Sequence, residues 1–165
     1  MYVAVRDHAT AHRLAAMTAA RWLVLTWRLP AASSTPRVAT WRSLQRLGAV
    51  SLTPGAVILP FTEDLLEQLE WIAEDIVQRG GDAYVLPVTE LPEADEADIR
   101  RRMREDRRLE YAHLREAASR TRDEREVAAL QRALGRAMER DHFASAGRTS
   151  AERAIRQAAR RKETT

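Results

Sequence analysis

Between Arg21 and Val88 short branched runs alternate with two amphipathic stretches, and proline or glycine ends each one. This punctuation constrains the fold more than any other feature. Trp22-Leu23-Val24-Leu25-Thr26-Trp27-Arg28-Leu29 is an aromatic and branched run of strand length, closed by Pro30. Ser33-Ser34-Thr35-Pro36 reads as a helix start, with a hydroxyl at the cap and proline in the first turn. Val38, Trp41, Leu44 and Leu47 then recur every three residues along one face, and Gly48 ends the helix.

Two short runs, Ala49 to Leu52 and Val57 to Pro60, flank Pro54-Gly55 and predict a hairpin. Thr62 is placed to cap a second helix whose first turn carries Glu63 and Asp64, the charge sign that suits a helix start. Leu65, Leu66, Leu69, Ile72, Ala73, Ile76 and Val77 give it a broad apolar stripe, Gly80-Gly81 stop it, and Ala83 to Val88 make a fourth strand. The order strand, helix, strand, strand, helix, strand predicts an α+β fold of the ferredoxin-like split βαβ type (βαββαβ) over residues 21–90. Residues 1–20 show no periodicity and read as a loose extension, and 91–165 read as a helical C-terminal arm. Within the arm, Val127, Leu130, Leu134 and Met138 have the near-heptad spacing that suits packing on another helix, and Ala144 to Gly147 mark a break.

Alternation puts Leu23, Leu25, Trp27 and Leu29 on one face of the first strand and Trp22, Val24, Thr26 and Arg28 on the other. Both faces are apolar enough to call for cover, by the C-terminal helices or by a second copy, so a homodimer is expected. Trp22, Trp27, Trp41 and Trp71 all fall on faces read as apolar and are expected in the core.

Composition enters through what it excludes. No cysteine is present, which removes disulfides, thiolate metal sites and a cysteine nucleophile. No apolar run reaches the roughly 18 residues of a membrane helix, and the longest, Leu14 to Leu29, contains Arg21 and Arg28. A cytoplasmic protein without a membrane partner is the expectation. His8 and His12 have i,i+4 metal spacing but no third ligand, and His113 and His142 lack a visible nucleophile. Neither a glycine-rich phosphate loop nor an HExxH motif is present, so no enzyme, metal or cofactor is expected.

Arginine is the conspicuous residue: of 27 lysines and arginines only Lys162 is a lysine. Arg37 falls in the first turn of the first helix, where a cation opposes the dipole and a bound anion would relieve the misfit. With Arg28, Ser34 and Thr35 it forms a candidate anion-binding site for a tetrahedral dianion such as sulfate, phosphate or chromate. Arg42 and Arg46 lie a turn apart on the opposite side of that helix. Arg100, Arg101, Arg102, Arg104, Arg107 and Arg108 crowd the third helix. Arg42, Arg46, Arg100, Arg101, Arg104 and Arg108 are the candidate DNA-binding residues, because phosphate contact needs clustered cations.

The segments Arg21 to Leu25, Arg37 to Val50 and Val57 to Pro60, with Glu110-Tyr111, Arg140-Asp141-His142-Phe143 and Gly147-Arg148, resemble the N-terminal domain of the chromate-resistance regulator family ChrB. A weaker likeness, in pattern only, reaches phenylacetate-type repressors and small CRISPR-associated nucleases. The nucleases use an acidic residue near the end of the first strand, where this chain has Trp27-Arg28-Leu29. The resemblance implies a cytoplasmic repressor of a chromate-efflux operon, relieved by chromate. Full-length members carry a second, C-terminal domain that this sequence stops short of, so a separately encoded C-terminal partner is a further expectation, with a docking module as the alternative role.

Overall fold

The computed structural model describes residues 19–30 and 34–163. His8, His12, Ser33, the side chain of Ser34 and nearly all of the 1–20 extension lie outside the described residues. The described residues divide into two compact units, the first within 1–45 and 49–93 and the second within 46–48 and 94–165.

The first unit is α+β. Its elements are β1 (Trp22–Arg28), α1 (Ser34–Arg46), β2 (Val50–Thr53), β3 (Ala56–Pro60), α2 (Glu63–Gln78) and β4 (Asp82–Val88). All four strands join one antiparallel sheet in the order β2-β3-β1-β4. Register follows hydrophobicity, since a one-residue slip would exchange the two faces. Ser51, Val57, Leu25 and Val85 make one cross-strand row, and Val50, Ile58, Val24 and Leu86 make the next row on the opposite face.

Local chemistry explains the boundaries. Thr62 stands in extended conformation and its Oγ1 accepts from the Leu65 amide at 3.1 Å, capping α2 as its sequence foretells. At the other end Gly80 N–H donates to Val77 and Gly81 N–H to Ile76, the paired bonds of a Schellman motif, with Gly80 at φ +79°. Gly55 turns the β2–β3 hairpin at φ +81°, and its carbonyl accepts from the Trp27 amide at 2.7 Å. A Cβ there would lie 2.6 Å from the Trp27 carbonyl oxygen, so the turn needs glycine for both conformation and space.

The core of this unit is Trp22, Leu23, Leu25, Val57, Ile58 and Leu59 from the sheet with Leu44, Leu69 and Ile76 from the helices. Two expectations are corrected. Val38 is 49% exposed, because the buried stripe of α1 runs through Thr40 and Leu44. Trp71 is 70% exposed: it lies about 140° around α2 from the centre of the Leu65, Leu69 and Ile76 stripe at ~100° per residue. On the second sheet face Trp22, Val50 and Ile58 are buried, while Tyr84 and Leu86 on the edge strand β4 are exposed within the single chain.

The second unit is helical: α3 (Glu93–Arg120), α4 (Glu124–Glu139) and α5 (Arg148–Glu163). Tyr111, Leu114 and Ala118 from α3 meet Val127 and Ala137 from α4 and Ala151, Ile155 and Ala158 from α5 in one cluster. The near-heptad residues Leu130, Leu134 and Met138 pack against it. Alanine at so many of these positions lets the helix backbones come close. Among the described residues no helix is long and apolar enough to cross a membrane.

Candidate functional site

Arg37 stands in the first turn of α1, whose first turn contains no acidic residue. Its Nη2 donates to the carbonyls of Leu29 at 3.5 Å and Pro30 at 3.3 Å, so the guanidinium closes the exit from β1. Arg28 is opposite Asp82 in the β1–β4 register, and its Nη2 reaches the Asp82 carboxylate at 2.7 Å with both side chains exposed. The two guanidinium groups of the candidate anion site are thus directed to separate internal acceptors. Thr35 is exposed on the first turn of α1.

The candidate DNA-binding arginines separate by their partners. Arg42 and Arg46 are exposed on α1. On α3, Arg100 pairs with Glu96 and lies over the Phe143 ring at 4.6 Å, with Arg104 over the same ring at 5.8 Å. Arg101 pairs with Asp98, and Arg108 holds Glu105 through two bonds at 2.7 and 2.6 Å. Sequence alone shows a run of cations here; carboxylates one turn away neutralise much of it. The i,i+3 and i,i+4 spacing of acid and base was the available signal.

Around the break between α4 and α5 lies a denser arrangement. The buried Tyr111 hydroxyl donates to Asp141 Oδ2 at 3.0 Å. Ser145 donates its amide to both Asp141 oxygens, at 3.0 and 2.9 Å, and its hydroxyl to Oδ1 at 2.7 Å. Burial pushes the Asp141 carboxyl up, but these donors, with the Phe143 amide, outweigh it and hold the group below its ordinary value. Burial, reinforced by Asp141, pushes the Tyr111 phenol well above its ordinary range, so its proton stays on. Glu110, next along α3, bridges Arg107 and Arg140. His142 Nε2 lies 2.7 Å from the Leu47 carbonyl, and burial depresses its imidazole. Ala144 accepts a φ of +50° to bring Ser145 back onto Asp141.

This loop assembly has no nucleophile poised beside a free base: Ser145 gives its proton to a carboxylate already crowded with donors. Its chemistry is that of a structural clasp. Among the described residues no group of three or more histidines, cysteines and carboxylates is placed to hold a metal ion. A cavity of about 240 Å³ opens beside the clasp, lined by Arg108, Tyr111, Arg115, Gly147 and Ser150 among others.

Comparison with known proteins follows the same residues. A family model described as "Protein ChrB, N-terminal" matches residues 37–129, from the first turn of α1 into α4. Protein ChrB of Cupriavidus metallidurans is 36% identical over 91 residues, which cover 55% of this chain and 28% of that protein. The chain therefore matches little more than a quarter of the relative's length. No solved structure matches it. The family model spans more than half of the sequence, and the chain belongs to the ChrB N-terminal family.

Proposed function

We propose that this protein acts in chromate resistance as a DNA-binding transcriptional regulator whose occupancy of DNA responds to a tetrahedral oxyanion. The match to the ChrB N-terminal family over residues 37–129 carries this reading. The order β-α-β-β-α-β with strand order β2-β3-β1-β4 supports a ferredoxin-like platform for it. Exposed guanidinium groups on α1 supply phosphate-contacting charge. Arg37 supplies the oxyanion element: among the described residues it is held by two carbonyl oxygens and by no carboxylate, so an anion competes there with neutral acceptors.

The test is a mobility shift on DNA from upstream of the protein's own gene, with and without chromate, for the wild type and Arg37→Ala. A retarded complex that chromate releases in the wild type and leaves intact in the variant is the expected result. Absence of any complex at low salt rejects direct DNA binding; equal chromate response of both proteins rejects Arg37 as the sensor.

A second role, docking onto another chain, is favoured by the exposed Tyr84 and Leu86 on β4. They flank Val85, so two antiparallel copies of this edge would bring each Tyr84 beside the other copy's Leu86. Sedimentation of the wild type and Leu86→Glu as identical monomers would reject it.

A further inference from the structure

We infer that the phosphate-contacting face of the second unit is a stripe of three arginines on α4, Arg125, Arg132 and Arg136, and not the crowded arginines of α3. The inference rests on the DNA-binding reading above and assigns it a surface.

Helix geometry sets the stripe. At about 100° per residue, Arg125, Ala129, Arg132 and Arg136 fall within about 60° of one another. They lie opposite Val127, Leu134 and Ala137, which face the cluster shared with α3 and α5. All four stripe residues are exposed. The three guanidinium groups have no hydrogen-bond or ion-pair partner among the described residues, whereas those of Arg100, Arg101 and Arg108 are each engaged by a carboxylate. Glu124 and Glu126, the acids that flank Arg125 along the chain, lie about 100° to either side of it, and Glu126 accepts from Thr121 Oγ1. Glu139, at the C-terminal end of the stripe, is its one acidic member.

The difference in pairing has a thermodynamic meaning. An arginine that meets phosphate must first give up any carboxylate it holds, and the carboxylate then faces the same phosphate as a like charge. A guanidinium with no partner carries neither cost, so its whole contribution is the release of counterions from the nucleic acid. Eleven residues separate Arg125 from Arg136, about 16 Å along the helix axis, a length that spans several phosphates of one strand. Ala129, in the middle of the stripe, leaves the backbone of α4 open to close approach. Arg136, in the last turn, also complements the helix dipole, so its side chain costs the fold nothing while it waits for a partner.

Fluorescence anisotropy of the full chain on a labelled 30-base-pair duplex, at 50 and 200 mM salt, tests this. Each phosphate contact contributes about 0.9 to the slope of log affinity on log salt, so three contacts account for about a 40-fold loss across that range. Arg125→Ala/Arg132→Ala/Arg136→Ala should lose that part of the salt dependence, Arg101→Ala/Arg108→Ala should keep it, and the triple Arg→Lys variant should bind with the wild-type slope. The lysine variant also guards against a folding artefact, because it changes the same positions and keeps the charge. A wild-type slope in the triple alanine variant, or loss in the α3 variant alone, overturns the stripe while leaving DNA binding standing. No binding by the wild type at 50 mM overturns the DNA reading itself, and the stripe with it.

Discussion

Tyr111→Phe isolates one bond in the clasp that joins α3 to the α4–α5 break. The ring of Tyr111 is fully buried, so phenylalanine keeps the packing and deletes the hydroxyl that reaches Asp141 at 3.0 Å. A hydrogen bond to a charged group contributes roughly 1.5–3 kcal/mol net. Here the lower end applies, because the same carboxylate oxygen keeps the Ser145 amide at 2.9 Å and is not left bare. About 1.5 kcal/mol in a chain of this size lowers the melting temperature by about 3–6 °C. Thermal denaturation by circular dichroism at neutral pH measures it, with Tyr111→Ala as the packing reference at about 3–5 kcal/mol. A double-mutant cycle with Asp141→Asn isolates the pair. Additive losses in that cycle, or a Tyr111→Phe protein as stable as wild type, would refute the clasp.

Two further perturbations follow from local geometry. Gly55→Ala should destabilise the first unit by about 2 kcal/mol or more, since a positive φ and a backbone oxygen 2.6 Å away act together. Gly80→Ala meets the same φ penalty in open space and should cost only about 1 kcal/mol, so equal losses in urea titrations would contradict the steric argument. Because burial depresses the His142 imidazole, the unfolded chain binds its proton more readily; stability is complete above the ordinary imidazole range and falls as the solution is acidified through it. Asp141, held below the usual carboxylate range, gives up its contribution only at lower pH. The melting temperature of the wild type should therefore drop more between pH 7 and 5 than that of His142→Gln, and identical pH profiles would show that His142 is not the group responsible.

Much of the first unit was legible because its signals are local. Thr62 and the Gly80-Gly81 pair act within one helical turn, and Pro54-Gly55 decides its hairpin within four residues. Where a choice depended on packing, pattern was a poorer guide. Val38 and Trp71 have the hydrophobicity of core residues, yet each belongs to a helix whose buried side is already filled by better-placed residues. The alternation on β1 gave its two faces correctly, but could not tell that Tyr84 and Leu86, on a neighbouring edge strand, would stay in water.

The clasp was invisible for a different reason. Tyr111 and Asp141 are 30 residues apart, and neither stands in a spacing that forecasts contact; the residues drew notice through their likeness to a family and not through their chemistry. The arginines illustrate the converse. Counting charge along α3 pointed to its densest run, while the carboxylates at Glu96, Asp98 and Glu105 had already answered those cations at one-turn spacing. On α4 the spacing of acids relative to the stripe is less favourable for such pairing: Arg125 and Arg132 have no carboxylate three or four residues away on either side, and Arg136 has only Glu139, three residues on, with which it makes no ion pair among the described residues. A guanidinium that no acid engages stays available for an outside anion. The useful quantity for reading such a sequence is therefore not how many arginines a helix carries, but how many lack a carboxylate one turn away.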